Sequence, residues 1–199
     1  MLRRATSLLA IAIAYAAATT GPWHVANDVS WGRRLDARIG DAIHGLATES
    51  LDELLHGVTT LADTLPFAVA AVALVALAWL RGGPRLMAVA ALILLIGNGA
   101  TQLAQPTLTA SRHVDFRGTE LTEIGSWPSG HATAAMFLAL VAILVAGPRL
   151  RPIAAVLGVG YALAVGGALV ALGGHLPGDV LAGYLVAAAF TALGAAGLS

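Results

Sequence analysis

Cysteine and lysine are both missing from the 199 residues. Without cysteine the chain can form no disulfide and offers no thiol nucleophile, although this says little about compartment. Without lysine, all eleven residues of the Lys+Arg count are arginines. Charge of either sign is scarce, at 11% of residues, and the formal net charge is zero. That balance argues against a nucleic-acid partner, which calls for a basic face. No convincing repeat, low-complexity tract or flexible linker interrupts the chain. What fills it is apolar: 58% of residues are hydrophobic and the mean hydropathy is +0.81. Such a composition excludes an ordinary soluble domain.

A membrane span needs about 20 largely apolar residues. Uncharged stretches of that order predict an all-α, polytopic membrane bundle of about six helices, with cores near 5–20, 66–80, 86–104, 129–147, 152–173 and 177–197. Residues 1–199 then form one membrane domain. Arginine placement orients it, because cytoplasmic loops retain Arg close to the helix ends. Arg3 and Arg4, then Arg81 and Arg85, then Arg149 and Arg151 fall on one side, with no acid in the two short loops. The mixed-charge segments 21–65 and 105–128 and the junction at His175 fall on the other, non-cytoplasmic side. The expectation is an integral protein of the cell (plasma) membrane. Arg3, Arg4, the apolar run and Ala16-Ala17-Ala18 also fit a cleaved signal peptide, which would leave five helices in the same orientation.

Within segment 21–65, residues 33–62 carry two amphipathic stripes. Leu35, Ile39 and Ile43 make the first, and Leu51, Leu54, Leu55, Val58 and Leu61 the second. Ser50 with Glu53 fits a capping box opening the second helix. These helices are expected to lie on the outer surface or to cover the bundle, with a lipid-gating lid as an alternative. His24, His44 and His56 fit no ligand spacing and read as interfacial residues.

Ionisable groups at the mouths of long apolar segments usually serve chemistry. Trp127-Pro128-Ser129-Gly130-His131 opens the fourth segment. Pro suits a helix start, and the backbone N–H groups of Ser129 and Gly130 offer an anion site within reach of the His131 imidazole. His175-Leu-Pro-Gly-Asp179 opens the last segment, with His175 and Asp179 one helical turn apart. A carboxylate there can fix the tautomer of the imidazole and leave its other nitrogen as nucleophile or base. The bland alternative is a polar pair linking two helices. H-x-x-x-D with a distant His is no recognised zinc pattern, so no metal is expected.

These residues resemble the type 2 phosphatidic acid phosphatase family of membrane enzymes, lipid phosphate phosphatases that share a catalytic core with vanadium haloperoxidases. The resemblance covers about residues 64–197. It rests on P-S-G-H at 128–131 and on the H-x3-D end of the family's third motif at His175 and Asp179. It implies that His175 takes the phosphoryl group, that Asp179 orients it, and that His131 protonates the leaving alcohol and then activates water. No metal or other cofactor is implied. The implied partners are membrane lipids and a substrate that is a lipid phosphate or polyprenyl pyrophosphate.

The departures concern cations. Where the third motif has Ser and Arg, this chain has Ala168 and Leu169. The first motif, K-x6-R-P, aligns with Gln105 in place of Lys, Arg112 kept, and His113 in place of Pro. An alternative register through Asn98, Gln105 and Pro106 keeps only the proline. Substrate binding is therefore expected from Arg112, Gln105, Ser129 and Gly130, with Arg117 as the other local arginine. Three readings stay open: a phosphatase, a non-catalytic relative binding a lipid or partner, and a transporter in which His and Asp relay protons. Gly158 and Ala162 permit close helix packing, within one chain or between copies, so oligomeric state stays open.

Overall fold

A computed structural model describes residues 13, 17–108, 114–116, 119–121 and 127–198. Most of the first expected span, together with Arg112, His113 and Arg117, lies outside the described residues. Helix α1 covers residues 17–27. The two amphipathic stripes become α2 (Ser30–His44) and α3 (Glu49–Thr60). The start of α3 differs from the capping-box expectation. Its N-cap is Thr48, and the Ser50 hydroxyl is bonded to the Thr48 hydroxyl at 2.9 Å instead of opening the helix.

The helix α4 (Thr64–Leu92) runs through a π-helical turn, Ile93–Gly97, into α5 (Asn98–Leu108). Its apolar stretch, Thr64–Leu103, is 40 residues long. At 1.5 Å per residue that is about twice a bilayer's hydrocarbon thickness. Gly83 resolves the excess: it sits at φ 67°, a conformation open to glycine, and Pro84 follows it. The chain folds back there into two legs side by side. Phe67, Val72 and Trp79 of one leg and Met87, Ala91 and Asn98 of the other line a common apolar groove. The two legs occupy the stretches expected as the second and third spans.

A short antiparallel hairpin follows, β1 (Val114–Phe116) with β2 (Thr119–Leu121), in a segment read from sequence only as a mixed-charge loop. Then come α6 (Gly130–Val145), α7 (Arg151–Ala171) and α8 (Pro177–Ala196). Helices α7 and α8 are, like the α4–α5 stretch, long and apolar enough to cross a membrane; α6, at 16 residues, is shorter. It is apolar all round and buried on most of its surface, as a central helix must be. Phe137, Val141 and Val145 of α6 pack with Val165 of α7 and with Val186 and Phe190 of α8.

Lipid offers apolar side chains no reason to leave it, so close backbone approach at small residues carries the packing. Gly158 of α7 lies against Ala139 of α6, and Ala162 is fully buried, so the small-residue stripe packs inside one chain. Gly183 of α8 faces α6. A Cβ there would stand 2.6 Å from the Thr133 hydroxyl and 3.0 Å from the Ser129 carbonyl. Gly183→Val should therefore destabilise the fold by about 1–3 kcal/mol. Gly160→Ala, where a Cβ meets nothing within 4 Å, should be neutral. Melting in detergent compares them, and equal Tm values would remove the argument for Gly183.

Arg81, Arg85, Arg149 and Arg151 share one end with no acid, while the described acids lie with Arg33, Arg34 and Arg38 of α2 toward the other. Arg81 donates to the Val145 carbonyl at 3.4 Å, and Arg85 to the Gly197 carbonyl at 2.9 Å. The starts of α6 and α8 lie at the other end, where α2 and α3 pack against α7 and α2 also reaches the start of α8. There His44 Nδ1 donates to the Ala171 carbonyl at 2.6 Å, and Val58 and Ile43 pack on the core.

Candidate active site

Two loop-to-helix junctions build the site. At the first, Ser129 is the N-cap of α6: its extended backbone turns the chain, and its Oγ accepts from the Ala132 N–H at 3.4 Å. The Trp127–Pro128 bond before it is cis. Trp127 is buried and donates from Nε1 to the Thr19 carbonyl, 3.1 Å away, which ties α1 to this junction. At the second junction α7 ends at Ala171. Gly173 takes φ 75°, and the N–H groups of Gly174 and His175 return to the Leu169 carbonyl at 3.0 and 3.3 Å. Pro177 then opens α8.

One hydrogen bond joins the junctions: the Ser129 N–H donates to the Asp179 carbonyl at 3.0 Å. The sequence expectation had this amide free for an anion. Structurally it is spent on holding the two motifs together, and Ser129 is completely buried. Gly130 stays at the mouth of a cleft of about 610 Å³, lined also by Asp63, Thr64, Asn98, Gln102 and His131.

His131 faces that cleft, half exposed, with Nε2 donating to Asp63 Oδ1 at 2.9 Å. Asp63 was missed from sequence. It precedes α4 as Asp-Thr-Leu-Pro and reads as an ordinary helix N-cap, yet its side chain makes no capping bond and turns to a histidine 68 residues away. His175 is not among the residues lining the cleft. It is buried beside Asp179, with Nδ1 3.5 Å from Asp179 Oδ2. That is ion-pair distance and beyond a hydrogen bond. The same Oδ2 accepts the Leu176 N–H at 3.0 Å, so the carboxylate also caps α8. Nδ1 of His175 is buried without a hydrogen-bond partner among the described residues.

The substituted positions are accounted for. Ala168 and Leu169 are both buried, and Leu169 belongs to the apolar core. Gln105 reaches the motif, donating from Nε2 to the Pro128 carbonyl at 2.8 Å. A second residue missed from sequence is Asp36 of α2. It is buried, and its Oδ1 accepts the Gly178 N–H at 2.7 Å. An internal carboxylate thus occupies an amide of the first turn of α8, where helix termini favour anions. No sequence spacing signals a contact across 142 residues.

If Asp63 holds the ring of His131, its loss should show in turnover. The pair is half exposed, so screening limits its worth. Asp63→Ala should slow any reaction that uses this imidazole by about tenfold, with Asp63→Asn less affected because it keeps an acceptor. Unchanged kcat in Asp63→Ala would reduce the contact to a surface pair.

The family model of the PAP2 superfamily matches residues 86–197. Among solved structures, the chain is similar to the first transmembrane PAP2 type phosphatidylglycerolphosphate phosphatase from Bacillus subtilis. The TM-score is 0.65 at 22% identity, covering 100% of this chain and 96% of that one. No match was found among curated protein sequences.

Proposed function

The chain belongs to the PAP2 superfamily, and from that premise we propose that it is an integral membrane phosphatase acting on a lipid phosphate or pyrophosphate. The observation that carries this reading is the Ser129–Asp179 hydrogen bond, which makes one locus of the P-S-G-H and H-x3-D motifs. The phosphatidylglycerolphosphate phosphatase with a similar fold supports the membrane and phosphatase parts of the reading.

In the proposed reaction His175 is the nucleophile. Its Nδ1 faces Asp179, which leaves Nε2 to attack phosphorus. As the N–P bond forms and the P–O bond to the leaving group breaks, His131 gives its proton to the departing oxygen. His131, now neutral, takes a proton from water. The hydroxide attacks the phosphohistidine, releasing inorganic phosphate and free His175. Asp63 orients His131, Asp179 orients His175, and Gln105 steadies the Pro128 carbonyl that leads into the anion-facing turn. Arg112 is assigned as the cation beside the phosphate. The arginine asymmetry supports a site on the non-cytoplasmic side of the plasma membrane.

Inorganic phosphate release from a panel of lipid phosphates and pyrophosphates, with His175→Ala as blank, tests the reading. Phosphate release equal to the blank for every member would reject it. A second reading, a relative that binds phosphorylated lipids without hydrolysing them, is favoured by the carboxylate of Asp36 on the Gly178 amide and by the apolar Leu169. The transport reading has less behind it. It calls for a helix broken near the bilayer midplane. The π turn at Ile93–Gly97 keeps helical dihedrals on both flanks, and the Gly97 carbonyl accepts from Thr101 Oγ1 at 3.0 Å.

A further inference from the structure

We propose that the arginine end of the bundle carries a binding site for the phosphate of an anionic phospholipid, remote from the His131 cleft. A cleft of about 820 Å³ opens there between the α4 leg and the α6–α7 turn. Arg81, Arg149 and Arg151 line it together with Leu86, Leu144 and Leu150. Three guanidinium groups above apolar walls match a phosphate joined to acyl chains better than they match a free ion.

Among the described residues no acidic side chain meets this charge. No Asp or Glu occurs at positions 64–114, 124–178 or 180–199, so the segments that form this end contain no acid. Each guanidinium also keeps donors in hand. Arg81 spends one N–H on the Val145 carbonyl and Arg151 one on the Ala146 carbonyl at 3.2 Å, while Arg149 makes no hydrogen bond among the described residues. Those two bonds hold the forks at the end of α6, leaving the other N–H groups for bidentate phosphate contacts. The α6 carbonyls alone would not need three arginines. A lipid phosphate would supply a negative partner for them.

Each arginine near an anionic surface contributes enough to change affinity roughly fivefold. Arg85 gives the internal control. It belongs to the same end and carries the same charge, but it is bonded to the Gly197 carbonyl and does not line the cleft. The full chain is taken into phosphatidylcholine nanodiscs containing a minor fraction of dioleoylphosphatidylglycerol, and co-purifying lipid is counted by native mass spectrometry. The expected result is preferential retention of phosphatidylglycerol. Retention should fall roughly fivefold in Arg81→Gln and further in the Arg149→Gln/Arg151→Gln double variant, with Arg85→Gln near wild type. Equal losses in Arg85→Gln and Arg81→Gln would make the effect a general surface charge and overturn the site. So would equal retention of both lipids by the wild type. A parallel melting series in inorganic phosphate separates the sources: if phosphate raises Tm as much as phosphatidylglycerol does, and the Arg149→Gln/Arg151→Gln variant loses both gains, the cleft binds a free anion and the lipid assignment fails.

Discussion

His175→Ala should abolish phosphate release from every lipid substrate the wild type accepts, and with it any covalent phosphoryl label on the protein. The expected drop is on the order of 10⁴-fold or more, because removing a nucleophile removes the covalent route itself. The label in the wild type should be a phosphohistidine, labile in acid. His131→Ala should slow both making and breaking of that bond, by about 10²- to 10⁴-fold, since in the proposed reaction one imidazole serves as acid in the first step and as base in the second. Asp179→Asn should keep measurable turnover, because it perturbs the orientation of the ring while leaving the nucleophile in place. It should also lower Tm slightly, as the Asp179 carboxylate caps α8 through the Leu176 amide. Rapid quench with labelled lipid phosphate distinguishes these cases. Binding of phosphorylated head groups with neither adduct nor release would select the non-catalytic reading.

Parts of this site were legible in sequence because they are local. P-S-G-H is a single turn, and His175 and Asp179 sit one turn apart, so spacing alone put each set on one helix start. The membrane bundle was legible for a related reason: apolar length and arginine placement are properties of single segments. The turn at Gly83 and Pro84 fell where two arginines had already marked a loop. What escaped were contacts between segments. Asp63 and Asp36 reach His131 and the Gly178 amide from elements far away in sequence, and each passes locally for a helix-terminal or amphipathic-face carboxylate. The Ser129 amide was misjudged in the same way, since nothing near it in the chain announces the Asp179 carbonyl. Ser50 failed as a cap because Thr48, two residues earlier, took the position first.

Arg112→Ala should weaken vanadate or phosphate binding and cut turnover by on the order of 10²- to 10³-fold, the usual worth of a preorganised donor to developing charge. The size of this effect follows from what the rest of the site lacks. Leu169 lies in the apolar core, Gln105 is committed to the Pro128 carbonyl, and the groups placed around the helix starts are Asp36, Asp63 and Asp179. A phosphate entering among three carboxylates needs a cation, and with no lysine in the chain only an arginine supplies a permanent one. Arg112 and Arg117 both lie outside the described residues, so the choice between them rests on the register that aligns Gln105 and Arg112 with K-x6-R. Arg117, flanked by Asp115 and Glu120, should behave as a surface ion pair, and Arg117→Ala should change turnover by no more than about threefold. Arg112→Lys should recover part of the loss, because it restores charge without the planar fork that matches phosphate oxygens. Equal effects of Arg112→Ala and Arg117→Ala would dissolve that register. A silent Arg112→Ala in an active enzyme would show that the phosphate's charge is met elsewhere.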